Sequence, residues 1–305
     1  VDLAYTDAVT GTKQIQMLGL DGKYTQITRE GIPDVRGLST VQGLTYIPGV
    51  WIEGIQLNKG AGSVASGFES VTGQINVELH KPESMDRWFV NGYANQGGRT
   101  ELNVNVSQKI NDKVSTGVLI HGNIRPFEVN GNGDSFSDFP VGQTFNILNR
   151  WKFNNLIGWV GQLGGQAINE ERRGGQASNE FANPYELGWN TQQYSVWGKT
   201  GYVFPNAKYR SVGFQAKALY HNNENYFGNT IYNASQQSFF AKSIYQSIIG
   251  TSTHKYRAGL SVQYDKYEEL LDSNGFNREE IVPGAFLEYT YTYFEKFSAV
   301  VDLRA

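Results

Sequence analysis

The chain has 305 residues, a formal net charge of -3, no cysteine and a mean hydropathy of -0.44, yet carries Tyr 18, Phe 17 and Trp 6. The near-neutral charge gives no basis for a nucleic-acid or polyphosphate partner, and the missing cysteines exclude disulfide frameworks and thiolate metal sites. His80, His121, His221 and His254 lack the spacing of a zinc hydrolase. No run approaches the ~20 apolar residues of a membrane helix. Abundant aromatics with low hydropathy fit strands that show one face to lipid and the other to water, and equally a soluble β sandwich.

Val1-Asp2-Leu3-Ala4-Tyr5 lacks the basic start and apolar core of a signal peptide. With a strand pattern at 297–303 that stops without a turn, the expectation is an internal piece of a longer protein. Residues 14–18 and 24–28 read as strands around Gly19-Leu20-Asp21-Gly22, where Asp-Gly predicts a hairpin. Glu30-Gly31-Ile32-Pro33 reads as another turn. Strand-like runs at 52–58 and 74–79 then enclose Gly60, Gly62, Gly67 and Gly73. Lys81-Pro82-Glu83-Ser84 forms a polar hinge, because proline cannot donate into a continuing ladder. The expected division is therefore a small domain over 1–82 and a larger one over 83–305.

Beyond the hinge the period is two. Leu102, Val104 and Val106 alternate with Asn103, Asn105 and Ser107; Phe214, Ala216 and Ala218 alternate with Gln215 and Lys217; Leu260 and Val262 alternate with Ser261 and Gln263. These runs of ~9–11 residues suit a tilted strand crossing a bilayer. Lys217, Arg257, Asp265 and Glu288 lie on the opposite face, where each would need a partner if dry. A water-filled lumen removes that difficulty and argues for a wide barrel over a packed sandwich.

Connections alternate in length. Tight turns are expected at 111–112, 154–155, 205–208, 250–253 and 295–296, and long polar loops at 125–140, 170–190, 222–233 and 268–280. That asymmetry is typical of outer-membrane barrels. The count is about eleven strands, the first over 86–96 and the last over 297–304. An odd number points to truncation, since bacterial single-chain barrels use even ones. Trp151, Phe153, Tyr202, Phe204, Tyr293 and Phe297 flank the tight turns, as an interfacial aromatic belt would.

The glycine-rich stretch does not cradle phosphate: Lys59 precedes Gly60, and Ala65 stands where a dinucleotide fingerprint needs its third glycine. Ile52-Glu53-Gly54-Ile55-Gln56-Leu57-Asn58-Lys59-Gly60-Ala61-Gly62-Ser63, followed by Gly67, Gly73, Ile75-Asn76-Val77 and Lys81-Pro82, instead resembles the end of the plug domain of TonB-dependent outer-membrane receptors. Residues 15–22 are similar to that family's I-R-G strand, and 27–33 to its L-I-D-G-V-P turn. The family's arginine is Leu18 here, its aspartate is Glu30, and Phe68 and Thr72 replace a tyrosine and a glycine. Leu18 stands against the plug keeping the family's buried ionic contacts with the barrel wall.

The resemblance implies a mainly β fold, with a small α/β plug inside a transmembrane antiparallel barrel, and about half of a 22-stranded barrel present. It implies TonB-dependent active transport of a scarce nutrient (a ferric siderophore, another metal chelate or a cobalamin-like ligand) across the outer membrane of a Gram-negative bacterium. The alternatives are an outer-membrane glycan or peptide importer, and a non-transporting adhesion or assembly barrel that retains a plug-like motif. Implied partners are a TonB-type inner-membrane energy transducer reached through a segment upstream of Val1, a small-molecule or chelate ligand, outer-membrane lipid and a surface lipoprotein lid; no nucleic acid is expected.

By the same analogy ligand binds between the plug apex, residues 44–50, and the outer loops. Candidates are Tyr46, Pro48 and Trp51 at the apex, and Phe127, Phe136, Phe139, Arg172, Arg173, Tyr185, Trp189, Tyr226 and Phe227 beyond it. Glu53, Lys59, Gly60, Gly62, Ser63, Gly67, Gly73 and Asn76 carry the plug motif. Within 130–138, Asp134 and Asp138 offer oxygen ligands at alternate positions, as a calcium ion requires, although the closing glutamate of an EF-hand is missing. No cofactor is otherwise expected. No catalytic constellation is visible: there is no GxSxG, and the pairs Glu268-Glu269 and Glu279-Glu280 fall in expected loops, so a non-enzyme is expected.

Overall fold

The computed structural model describes residues 2–5, 12–155, 157–178, 180–294 and 296–305. Two small sheets come first. β1 (Asp2–Tyr5) pairs antiparallel with β2 (Lys13–Gln16). β3 (Thr25–Arg29), β4 (Ile32–Val35), β5 (Ile52–Lys59) and β6 (Gly73–Leu79) form a four-stranded sheet in the order β4-β3-β6-β5, with β3 and β6 parallel.

The hairpin expected across Gly19–Gly22 does not form. Leu18 and Gly19 take left-handed φ of 55 and 74°, so the chain reverses early and Leu20 N bonds Met17 O at 3.1 Å. Asp21 then accepts from Lys23 N and starts a short 3-10 turn at Gly22–Tyr24. Aspartate here serves a cap, the commoner use of a side chain that bonds the backbone two residues on. β3, buried at all five positions, takes β6 and β4 as neighbours.

The remaining strands form one antiparallel meander, each paired with its neighbours in sequence: β7 (Trp88–Ala94), β8 (Thr100–Asn111), β9 (Val114–Arg125), β10 (Val141–Asn154), β11 (Trp159–Gly175), β12 (Glu186–Val203), β13 (Ser211–Phe227), β14 (Thr230–Ile249), β15 (Thr251–Leu271), β16 (Asn274–Tyr293) and β17 (Phe297–Arg304). The count of eleven agrees with the alternation, and the sheet's edges are β7 and β17.

Strand lengths do not agree. They run from 7 to 21 residues, and three expected loops are largely ladder. β11 and β12 extend through much of 170–190, β13 and β14 are joined only by Gly228-Asn229, and β15 and β16 only by Asp272-Ser273. Polarity marks contact with water, not the end of hydrogen bonding between strands. Gly228 and Asp272, with φ of 60 and 52°, supply the left-handed geometry that such tight hairpins need. The loop after Arg125 keeps its expected length, since β10 begins at Val141. Of the 295–296 turn, Glu295 lies outside the described residues.

Met17, Ile27, Trp51, Ile75, Val77 and Leu79 of the N-terminal unit share one core with Leu119 of β9 and Leu148 of β10. The small sheet therefore sits against one face of the large one. On that inner face Asn103, Asn105 and Ser107 are buried, while Leu102 on the other side is exposed. Lys217, Asp265 and Glu288 are also on the inner face and buried, but not wetted by a lumen as expected; the N-terminal unit covers them. Arg257 stays half exposed and pairs with Glu288 at 3.1 Å. Aromatic rings gather at the tight-turn end, with Trp159 and Tyr202 centroids 5.0 Å apart and Tyr202 and Phe204 5.1 Å apart.

Candidate functional site

The face between the N-terminal unit and the sheet is polar and charged. Glu30, in the turn between β3 and β4, has its two carboxylate oxygens taken by Arg150 of β10 at 3.0 Å and Lys199 of β12 at 2.9 Å. Arg150 also donates to the carbonyls of Leu79 and His80. Burial would raise the Glu30 carboxyl, but the charges of Arg150 and Lys199, with bonds from Lys199 and the Leu79 amide, bring it down to about 2. Asp34 accepts from Arg29 at 3.0 Å and from Lys217 of β13. Burial raises its carboxyl too, and the Arg29 and Lys217 charges outweigh that and lower it. Arg36 bridges Glu69 at 2.7 Å and Asp265 of β15 at 2.6 Å. The expectation from Leu18, that ionic contacts with the wall would be weakened, is overturned: the contacts come from Glu30, Asp34 and Arg36.

The motif residues serve this geometry. Asn76 accepts from Gly31 N at 2.8 Å and Thr28 Oγ1 at 2.9 Å, tying β6 to the turn that presents Glu30. Ser63 donates to Glu288 Oε2 at 2.5 Å and caps the 3-10 turn at Val64–Ser66. Glu53 pairs with Lys81 at 3.1 Å beside the hinge, and Lys59 ends β5. Gly60 and Gly67 take φ of 87 and 129°. Gly73 and Gly62 allow close approach: a Cβ would stand 2.5 Å from Asn58 O at Gly73 and 2.4 Å from Ser70 Oγ at Gly62.

At the long-loop end of the sheet, a cavity of about 890 Å³ opens between residues 44–50 and the inner face of β8–β11. Pro48 lines it, as do Arg99, His121, Arg125, Phe139, Glu170 and Arg172. His121 donates from Nδ1 to Asn103 Oδ1 at 2.7 Å and accepts at Nε2 from Asn123 at 3.0 Å, the pattern of a neutral, positioned imidazole.

Other expected ligand contacts lie elsewhere. Trp51, 0% exposed, is a core residue, because the 3-10 turn Gly49–Trp51 rolls its indole under β6. Tyr46, 4% exposed, lies below the cavity, and its carbonyl accepts from Asn146 at 2.8 Å and Gln166 at 3.3 Å. Burial and the nearby Glu170 charge push its phenol well above its ordinary value. Arg172 lines the cavity, but Arg173, next along an alternating strand, faces the opposite side, as does Tyr226 beside buried Asn225. Trp189 stacks edge-on with Phe227 at 5.1 Å, and Phe136 bridges to Gln176; neither lines the cavity.

Asp134 and Asp138 do not converge on a cation. Asp134 accepts from Phe136 N at 2.9 Å, as in an Asx turn, and Asp138 reaches seven residues back to accept from Gly131 N at 2.7 Å, closing the loop. Among the described residues no cluster of three or more His, Asp or Glu could hold a metal.

No protein family and no curated protein matches the chain by sequence. Solved structures do match. The pyoverdine outer membrane receptor FpvA from Pseudomonas aeruginosa PAO1 aligns with a TM-score of 0.77 at 12% identity, over 98% of this chain and 52% of that one. The copper transporter OprC aligns at 0.74 and 13%, over 99% and 49%. The fold is that of the TonB-dependent outer-membrane receptors. The ferric yersiniabactin uptake receptor FyuA from Yersinia pestis aligns at 0.62 and 13% identity, over 95% of this chain and 58% of that one. The chain thus spans about half the length of the receptors whose fold it has. It is mainly β, built on a large antiparallel sheet as they are, and the similarity first read from the glycine-rich stretch agrees with it.

Proposed function

We propose that residues 1–82 are a plug, that residues 83–305 are the first half of a transmembrane barrel of about 22 strands, and that the whole protein imports a scarce nutrient across a bacterial outer membrane. The observation that carries this reading is the ionic seam of Glu30–Arg150–Lys199, Asp34–Lys217 and Arg36–Asp265 between the N-terminal unit and the sheet. A closure that must leave its seat is better held by specific, exchangeable polar contacts than by a large dry core, since polar interdomain faces are those that move. Outward-facing apolar side chains such as Leu102, Leu163, Val196 and Leu260 suit lipid.

The outer membrane holds no ATP, so work on the plug must come from an inner-membrane transducer of the TonB type, acting on the plug side. The cargo enters from the long-loop end, through the cavity over residues 44–50. The receptors of matching fold include ones for ferripyoverdine, yersiniabactin and copper, which favours a metal chelate here. The test uses the full-length protein in planar bilayers and in cells. Deleting residues 1–82 is expected to raise conductance well above baseline, and collapsing the proton gradient is expected to stop solute uptake. Baseline conductance after the deletion would overturn the gating role; uptake indifferent to the gradient would overturn energised import.

A further inference from the structure

Three arginines stand on one cross-strand row of the cavity wall. Thr100 pairs with Ile124, which sets Arg99 beside Arg125; Arg125 pairs with Gly142, and Gly142 with Arg172. With strands about 4.8 Å apart, the row spans about 15 Å on one face of the sheet. Gly142 stands between Arg125 and Arg172 without a side chain, packed so closely that a Cβ there would meet Glu171 O at 2.0 Å. The row one step deeper reads Glu101, Asn123, Thr144 and Glu170.

That deeper row neutralises two of the three cations. Arg99 reaches Glu101 at 2.5 Å and Arg172 reaches Glu170 at 2.6 Å. Arg125 has Asn123 below it instead, and no carboxylate among the described residues pairs with it. Its guanidinium carbon lies 4.7 Å from the Phe139 ring centre, and its Nε is buried without a hydrogen bond. Arg99 and Arg172 both act on it as repelling charges. Like charges set side by side in a sheet are destabilising, and here they face an open cavity of about 890 Å³.

We propose that Arg125, flanked by Arg99 on one side and, beyond the bare Gly142, by Arg172 on the other, binds an oxyanion group of the entering solute. A guanidinium fork accepts a carboxylate or a phosphoryl group through paired N–H donors, with geometry that an ammonium lacks. The inference rests on the reading of this cavity as the entry chamber and narrows the cargo to acidic solutes or acidic chelates.

The experiment is calorimetric titration of the full-length protein in detergent with citrate, and separately with inorganic phosphate, at physiological salt. One of the two is expected to bind saturably, and which one binds names the group. Arg125→Gln is expected to weaken binding at least tenfold, Arg125→Lys to retain part of it, and Arg210→Gln, at the opposite end of the sheet, to change nothing. Should Arg125→Gln fold poorly, phenylglyoxal labelling of the wild type gives the same readout, with the anion shielding Arg125. Absence of binding by both anions, unchanged binding in Arg125→Gln, or a carboxylate of the protein's own remaining chain seated on Arg125 would overturn the proposal. Energised uptake that persists without anion binding ends this inference alone; anion binding in a protein that transports nothing ends the transport reading alone.

Discussion

Arg150 donates to Glu30 at 3.0 Å across 120 residues of sequence, and both side chains are 1% exposed. Lys199 closes on the second carboxylate oxygen, so one acid from the small sheet holds two strands of the large one. Arg150→Met leaves Glu30 with half of its compensation in a dry setting. Removing one partner of a buried pair typically costs about 3–5 kcal/mol. Arg150→Met with Glu30→Gln should cost less than the two single changes added together. Urea titration followed by the emission of Trp51, with the other tryptophans replaced by phenylalanine, measures this. Additive losses would mean that the pair is not coupled.

The same carboxyl sets a pH window. Glu30 is held at about 2, below its ordinary 4.5, so the folded state binds its proton less readily than the unfolded chain does. Its contribution is therefore complete above about 4.5 and is lost as pH falls towards about 2. At about 1.4 kcal/mol per unit of pH, that window represents on the order of 3 kcal/mol. Asp34 is lowered as well and adds loss in the same direction. Protease access to residues 1–82, measured from pH 7 downward, should stay constant to about 4.5 and rise below it. A rise already complete at pH 6 would assign the transition to another group.

The close approach at Gly73 gives a contrast with Gly54. A Cβ on Gly73 would meet Asn58 O and Met17 Cε, both at 2.5 Å, whereas one on Gly54 meets nothing within 4 Å. Gly73→Ala should destabilise the small sheet by about 1–3 kcal/mol through overpacking. Gly54→Ala should stay within about 0.5 kcal/mol of wild type. Both can be read from the same Trp51 transition, and equal effects would refute the packing argument.

The alternation of Leu102, Val104 and Val106 with Asn103 and Asn105 was enough to find eleven strands, because a sheet with two different faces writes its period into the sequence. Strand ends were not legible. Past the stretch with one apolar face the alternation fades, so Glu170, Trp189 and Tyr226 read as loop residues while their backbones stay in the ladder. Site chemistry was legible only in part. Gly60, Gly62 and Gly73 announced tight turns, but Ser63 meets Glu288 and Asp34 meets Lys217 at separations of 225 and 183 residues, which local patterns cannot show. The Arg99, Arg125 and Arg172 row exists only once the strand register is known.

The outer surface supplies the last prediction. Trp159 is half exposed on the large sheet, 5.0 Å from Tyr202, which in turn meets Phe204 at 5.1 Å next to the turn that follows β12. Indole rings favour the headgroup level, where one edge is wet. A variant with Trp159 as its sole tryptophan, reconstituted in vesicles, should be quenched more by lipids brominated near the glycerol than by lipids brominated near the chain terminus. Trp88, exposed on edge strand β7 and paired with Val106, offers a second depth marker. If neither lipid quenched either residue, the aromatic cluster would be contacting water or protein, and the outward face of the sheet would need a partner other than a bilayer.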